Sequence, residues 1–238
     1  MKLHLYALFS LLSVLGAAPL HAEEFDPRSI DWTKVESKFR WLNLFFVSEP
    51  LGLWLGDFPA VRWLGPGRYY PETKFPAGTW SVEIRSAGNR TAPQTAALKI
   101  SERGRTLLVT HGNQTLGLQQ LWIHEAAPPP EGAKHSSVRV YNLLPGRSIE
   151  VSGSNDPVPV RYGSHGDIQF PAGTPAQVAI SVQGGRHLRQ EFPETPPARW
   201  MVFVHFDSIG FDNPVVTRLA HGSSSYAGPE ETAVGANQ

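Results

Sequence analysis

The chain has 238 residues, and its 21 Lys and Arg residues balance 21 Asp and Glu residues, so its formal net charge at neutral pH is zero. This balance argues against nucleic acid or an anionic membrane surface as the main partner, because both attract strongly basic proteins. The sequence has no cysteine, which excludes disulfides as a source of stability. Apolar cores must supply the stability, and the length leaves room for two domains of about a hundred residues each.

An apolar segment at the N-terminus predicts export. Lys2 precedes the apolar run Leu5–Leu20, and small residues follow, which is typical of a secretory signal peptide over residues 1–22 that is cleaved after Ala22. A membrane anchor is the alternative, but the run is at most about sixteen residues and contains a glycine and a proline, whereas a spanning helix needs roughly 20 apolar residues. We expect a periplasmic protein with no transmembrane segment in the mature chain.

Three blocks of sequence occur twice, in the same order. Phe39–Leu44 matches Val138–Leu143 at an offset of 99, Phe75–Thr79 recurs identically as Phe170–Thr174 at an offset of 95, and Leu108–His111 matches Val202–His205 at an offset of 94. The offset drifts by only a few residues, which short loop deletions explain. The pattern predicts an internal duplication.

A proline-rich segment separates the two copies. Residues 126–134 contain three consecutive prolines, which favour an extended spacer over compact structure. We therefore predict a first domain over residues 23–127, a linker over 128–135, a second domain over 136–222 and a disordered tail over 223–238.

The segments within each copy have the alternation of short β-strands. Val138, Val140 and Asn142 alternate with Arg139 and Tyr141, so the two sets should lie on opposite faces of a strand. The same alternation predicts that Trp80, Val82 and Ile84 point inward in the first copy, and Val178, Ile180 and Val182 in the second.

Two further segments are continuously apolar and predict central strands. Leu107–Thr110 and Trp200–Val204 should be covered on both faces. No long amphipathic helix follows the signal peptide, and turn residues separate the strands. We predict an all-β fold of two tandem antiparallel β-sandwich domains, Ig-like or jelly-roll-like, with seven to eight strands each.

The sequence shows no common motif of catalysis or metal binding. The Gly-x-Ser-x-Gly nucleophile elbow does not occur. Gly163–Asp167 contains Ser, His and Asp, but triad residues meet through the fold, so a polar loop or hairpin is favoured. His111 and His205 occupy equivalent positions near strand ends, which favours a structural role for both. We expect neither an enzyme nor a bound cofactor or metal ion.

The tryptophans are distributed unevenly, since only Trp200 lies in the second predicted domain. A loop-rich stretch over residues 51–71 carries a candidate surface for a protein partner or a glycan, because aromatic rings anchor partners and stack on sugar rings. Its residues are Trp54, Trp63, Arg68, Tyr69 and Tyr70. The alternative is that this stretch only covers the end of the sandwich.

Val138–Asn142, followed some thirty residues later by Phe170–Gly173, resembles the alginate biosynthesis protein AlgF family. The resemblance spans nearly the whole mature chain. It implies a non-catalytic periplasmic accessory protein for exopolysaccharide O-acetylation, with periplasmic or membrane-bound O-acetyltransferases as partners and the polysaccharide as a further candidate.

The resemblance carries over framework positions alone, which are Arg40, Asn43, Arg139 and Asn142. The first copy departs from the family pattern, because Phe39–Asn43 reads Phe-Arg-Trp-Leu-Asn, and the polymer is therefore left open. Two other functions are consistent with the sequence. One is a carbohydrate-binding or adhesive β-sandwich module of the cell envelope, and the other is an esterase with an unrecognised site.

Overall fold

The computed structural model describes residues 25–46, 49–88, 92–113, 116–125, 130, 132–153, 156–192, 198–207, 213–220 and 226–230. The predicted signal peptide lies outside these ranges, as do residues 128, 129 and 131 of the predicted linker. The described residues form an all-β structure of two sandwich domains, which confirms the predicted fold class. Within these ranges, no helix has the length and apolarity to cross a bilayer.

The first domain contains eight strands. They are β1 (Lys38–Asn43), β2 (Leu51–Leu55), β3 (Phe58–Leu64), β4 (Arg68–Lys74), β5 (Gly78–Ser86), β6 (Gln94–Ile100), β7 (Arg105–Asn113) and β8 (Gly117–Glu125). They form two four-stranded sheets with the orders β4-β1-β7-β8 and β3-β2-β5-β6. The stretch over residues 51–71, which we predicted to be rich in loops, is mostly strand, since β2, β3 and the start of β4 occupy it.

The second domain contains nine strands. They are β9 (His135–Asn142), β10 (Ile149–Ser152), β11 (Val158–Val160), β12 (His165–Pro171), β13 (Ala176–Val182), β14 (Arg186–Phe192), β15 (Arg199–Phe206), β16 (Pro214–Ala220) and β17 (Tyr226–Glu230). Their sheets have the orders β12-β9-β15-β16-β17 and β11-β10-β13-β14.

Two predicted boundaries differ from the structure. Strand β9 begins at His135, the last residue assigned to the linker. Strand β17 lies within the tail that we predicted to be disordered, so that prediction is wrong for residues 226–230. The physical reason is that the last strand of the repeat, β16, leaves an edge whose backbone groups a further strand can pair with.

The strand order of the first domain repeats in the second when each strand number is raised by eight, which supports the internal duplication. The registers agree as well, because Arg40 lies opposite Leu107 and the equivalent Arg139 lies opposite Met201. These two pairs, β1 with β7 and β9 with β15, are parallel, while the other pairs are antiparallel. A long connection through the opposite sheet makes a parallel pair accessible.

Each sandwich buries the side chains that the alternation predicted to point inward. Trp80, Val82 and Ile84 belong to the core of the first domain, and Val178, Ile180 and Val182 to that of the second. The strands keep the pleat of a sheet with one face on the core, so every second residue is removed from water. The inward positions were therefore predicted correctly.

A third apolar cluster joins the two domains. The sheet with β1 and the sheet with β9 contribute to it with the faces that point away from their own sandwiches. Its buried members are Leu42, Leu44, Leu107, Val109 and Ile123 from the first domain and Tyr141, Leu143, Met201, Phe203 and Leu219 from the second. Strands β7 and β15 are thus covered on both faces, as predicted, and the second cover is the other domain.

Asn43 and Asn142, the last residues of β1 and β9, have equivalent roles. Each is fully buried, and each amide nitrogen donates across the sandwich, from Asn43 to the Leu64 carbonyl and from Asn142 to the Val160 carbonyl. Each side-chain oxygen accepts from the backbone N–H two residues later. Burial of an amide is costly without such partners, so these bonds fix the chain where it leaves the strand.

Candidate functional site

The five residues of the predicted recognition surface lie on two different sheets. Trp54 and Trp63 belong to β2 and β3 and lie together on the outer sheet of the first domain. Arg68, Tyr69 and Tyr70 belong to β4, which pairs with β1 in the other sheet. The chain changes sheets between β3 and β4, so the predicted surface is divided into two parts.

Trp54 and Trp63 form the centre of an exposed surface. Their ring centroids are 6.4 Å apart in an edge-to-face arrangement, and Trp63 is 50% exposed. Gly52 lies beneath them, and a Cβ there would come within 2.4 Å of the Arg62 carbonyl oxygen and 3.3 Å of the Trp63 ring. Glycine is therefore required for this close approach.

Charged side chains complete this surface. Glu83 lies directly opposite Trp54 on β5, and Arg85 lies opposite Gly52. The Arg85 guanidinium lies 4.7 Å above the Trp54 ring and donates to Glu83 at 2.5 Å. We call the surface formed by Gly52, Trp54, Trp63, Glu83 and Arg85 the aromatic face. The exposed Trp63 ring can stack on a sugar ring, and the polar pair beside it can bind the hydroxyl groups of the sugar.

Tyr69 lies at the interface between the domains and not on an exposed surface. Its hydroxyl is 3.2 Å from Arg40, whose side chain is 1% exposed. Arg40 also forms a fully buried ion pair with Glu125, and it is 3.4 Å from the carbonyl oxygen of Ala220 in the second domain. Burial raises the pKa of Tyr69. Tyr70 packs against the core of the first sandwich, and Arg68 is exposed.

Arg139 occupies the position in the repeat that Arg40 occupies in the first copy, but its surroundings differ. Its side chain is 45% exposed, and it pairs with Asp167 through two hydrogen bonds of 2.7 and 2.9 Å. The hydrogen bond to Asp167 raises the pKa of Arg139, and the same bond lowers the pKa of Asp167. One framework position therefore supports the domain interface and the other faces an open region.

His111 and His205 lie at the domain interface, on equivalent strands. Both are nearly fully buried, and each meets an aromatic ring of the other domain. The His205 ring stacks on Phe46 at 5.6 Å, and His111 meets Tyr162 edge to face at 6.5 Å. Burial lowers the pKa of each to about 4, so both are neutral at pH 7. The neutral form of His205 fits its contacts, which are Thr217 Oγ1 and the Phe206 carbonyl, each at 2.8 Å.

The Ser, His and Asp of Gly163–Asp167 have separate partners. Ser164 Oγ donates to the Arg161 carbonyl, the His165 ring tilts against Tyr141, and Asp167 binds Arg139. Among the residues that the structure describes, no group of three or more His, Asp or Glu side chains could hold a metal ion.

Gly52, Glu83 and Arg85 of the aromatic face were not singled out in the sequence. The alternation along β5 places Glu83 and Arg85 on the outer face of the strand, since Trp80 and Val82 occupy the inner face. This alternation was the signal in the sequence that could have identified them. The alternation does not show that these two residues lie beside β2, because their neighbours depend on the register between β2 and β5.

The comparisons with known proteins give structural likenesses alone. No family model and no curated protein matches the sequence. Among solved structures, the chain is similar to the Bacillus anthracis TIE protein, with 9% sequence identity and a TM-score of 0.25. The match covers 71% of this chain and 33% of that one, so this chain spans about a third of its length.

Proposed function

We propose that this protein is a non-catalytic accessory protein of the cell envelope that acts in exopolysaccharide O-acetylation through contacts with acetyltransferase components. The proposal rests first on the resemblance carried by Val138–Asn142 and Phe170–Gly173. Strands β9 and β12, which contain these segments, pair directly with one another, with Ser136 opposite Phe170. The two parts of the resemblance therefore belong to one structural unit.

The observation that carries the proposal is the shared core between the domains. Leu42 of β1 and Tyr141 of β9 point away from their own sandwiches and are buried in this shared core, and the Arg40–Glu125 pair is enclosed beside it. A large apolar interface restricts the relative motion of two domains. The chain therefore presents its outer surfaces in a fixed arrangement, as a protein that positions other components requires.

Cross-linking in living cells tests these contacts. A tagged form of this protein, expressed at its native level in its own host, is expected to be recovered covalently joined to a polysaccharide O-acetyltransferase. The untagged parent strain, treated identically, sets the background. Recovery of no O-acetyltransferase above this background would contradict the proposed mode of action.

A second function is favoured by the aromatic face, namely glycan binding. The Trp54 and Trp63 rings and the Glu83–Arg85 pair combine apolar area for stacking with hydrogen-bonding groups. Single exposed apolar residues are common on proteins, but a contiguous aromatic cluster marks an interaction site. In an acetylation accessory protein, such a face would hold the polymer.

Replacement of Trp63 by alanine is expected to weaken binding of the secreted polysaccharide by about 5- to 150-fold, since a stacked ring contributes about 1–3 kcal/mol. Tryptophan fluorescence titration measures the affinity. Trp32→Ala is the matched control, because Trp32 is 38% exposed and lies outside the aromatic face. Equal affinities of the two variants would exclude the aromatic face as the glycan site.

A further inference from the structure

A cleft lies beside the interface of the two domains, on the side where Arg139 is exposed. Its volume is about 340 Å³, within the range of roughly 300–1,000 Å³ that is usual for small-molecule sites. Strand β8 of the first domain forms one wall with Ile123, His124 and Glu125. Strands β9, β12 and β15 of the second domain form the rest.

Polar side chains from β9 and β12 are arranged as a ladder along this cleft. The register places Arg139 opposite Asp167, and Ser137 opposite Gln169. Residues two apart on a strand point to the same side, and Ser137, Arg139, Asp167 and Gln169 all line the cleft. The ladder thus consists of two neighbouring cross-strand pairs, which present donors and acceptors side by side.

The hydrogen-bonding capacity of this ladder exceeds its internal contacts. The guanidinium of Arg139 has five N–H donors, of which two bind Asp167 and another is used by the Tyr141 hydroxyl. The carboxylate of Asp167 has about four acceptor sites, and Gln169 adds an amide that both donates and accepts. Arg139 and Asp167 cancel each other's charge and together suit a group that donates and accepts at adjacent atoms, while Arg199 adds a positive charge to the lining of the cleft.

The cleft exists because the two copies of the repeat differ at this point. In the first copy, Tyr69 lies opposite Leu42 and its hydroxyl covers Arg40. In the second copy, the register-equivalent residue is His165, which tilts against Tyr141, and Arg139 is held by Asp167 and the Tyr141 hydroxyl and stays 45% exposed. The position that is closed over Arg40 is consequently open over Arg139.

A buried carboxylate belongs to the wall formed by β8. Glu125 lines it, and its side chain is fully buried in the ion pair with Arg40. Apolar contact comes from Ile123 and Met201, which also belong to the core between the domains. A wall anchored in that core holds the polar ladder in place.

We propose that this cleft binds a sugar unit of a glycan, with vicinal hydroxyl groups hydrogen-bonded to Arg139 and Asp167 and the ring lying against Ile123 and Met201. Each hydroxyl donates to the carboxylate or the Gln169 amide oxygen and accepts from the guanidinium. The inference stands apart from the acetylation role, because that role needs only protein contacts.

Isothermal titration calorimetry on the full mature chain tests the proposal. The probes are two β-1,4-linked tetrasaccharides, one of glucose units and one of uronate units. Arg139→Gln and Asp167→Asn are each expected to weaken binding of the better probe at least tenfold, since hydrogen bonds to charged groups are lost. The pair is nearly half exposed, so both variants should keep their melting temperature within a few degrees.

Arg189→Gln is the matched control, because Arg189 is exposed on β14 in the other sheet of the same domain. It should bind the probe with unchanged affinity. Failure of both probes to bind at millimolar concentration would overturn the proposal. Binding that survives Arg139→Gln but is lost in Trp63→Ala would also overturn it, and would assign the sugar to the aromatic face. Either result leaves the acetylation role to its own test.

Discussion

Replacing Arg40 by methionine is expected to reduce the free energy of unfolding by about 3–5 kcal/mol, because the variant leaves Glu125 charged and buried without its partner. The pair is enclosed, with side-chain exposures of 1% and 0%, in the interface between the domains. Urea denaturation followed by circular dichroism measures the loss.

The repeat supplies the control for this experiment. Arg139→Met changes the equivalent residue, which is 45% exposed and pairs with Asp167, which is 47% exposed. This variant should reduce the free energy of unfolding by no more than about 1 kcal/mol. The double variant Arg40→Met, Glu125→Leu should recover much of the stability, since apolar residues can replace a buried ion pair. If Arg40→Met were no more costly than Arg139→Met, the pair would not be buried between two docked domains.

Lowering the pH from 6.5 to 4 is expected to destabilise the protein through His111 and His205. Burial lowers the pKa of both to about 4, below the ordinary value of 6.5, so the unfolded chain binds protons that the folded chain does not. Their stabilising contribution is complete above pH 6.5 and is lost as the pH falls through this window. The loss is on the order of 3 kcal/mol per histidine at pH 4.

Urea denaturation across this pH range measures the effect. The His111→Gln, His205→Gln double variant should have a flatter dependence of stability on pH, whatever its stability at pH 7. His187→Gln is the control, because His187 is exposed on β14, and it should keep the slope of the wild type. An unchanged slope in the double variant would mean that neither histidine is buried as a neutral ring.

The sandwich architecture could be predicted because it depends on local patterns. Alternation along β5 and β13 gave the inward residues, and continuous apolar runs gave the central strands β7 and β15. The repeated blocks gave the correspondence between the domains, which the equal strand orders support. These signals are short-range, so the sequence contains them directly.

The different surroundings of Arg40 and Arg139 could not be predicted from the sequence. Both stand in the same motif on equivalent strands, yet one is buried with Glu125 and the other pairs with Asp167 at the surface. The difference depends on how two sheets from separate domains lie against each other. No periodicity within one strand contains that information.

The candidate surface was predicted in part, for a related reason. Trp54 and Trp63 do lie together, but residues 68–70 follow a change of sheet and face elsewhere. Proximity in sequence was taken as proximity in space, which holds within the β2–β3 hairpin and fails at the crossover to β4. The cleft escaped prediction altogether because β8, β9, β12 and β15 contribute to it.

The acetyl content of the secreted polysaccharide in a deletion strain tests the proposed function most directly. The parent and a strain complemented with the full-length gene are measured beside it, together with the polymer yield. We expect that deletion abolishes acetylation, that the yield is unchanged, and that complementation restores the acetyl groups. Unchanged acetylation in the deletion strain would contradict the proposed role and would leave glycan binding as the function to pursue.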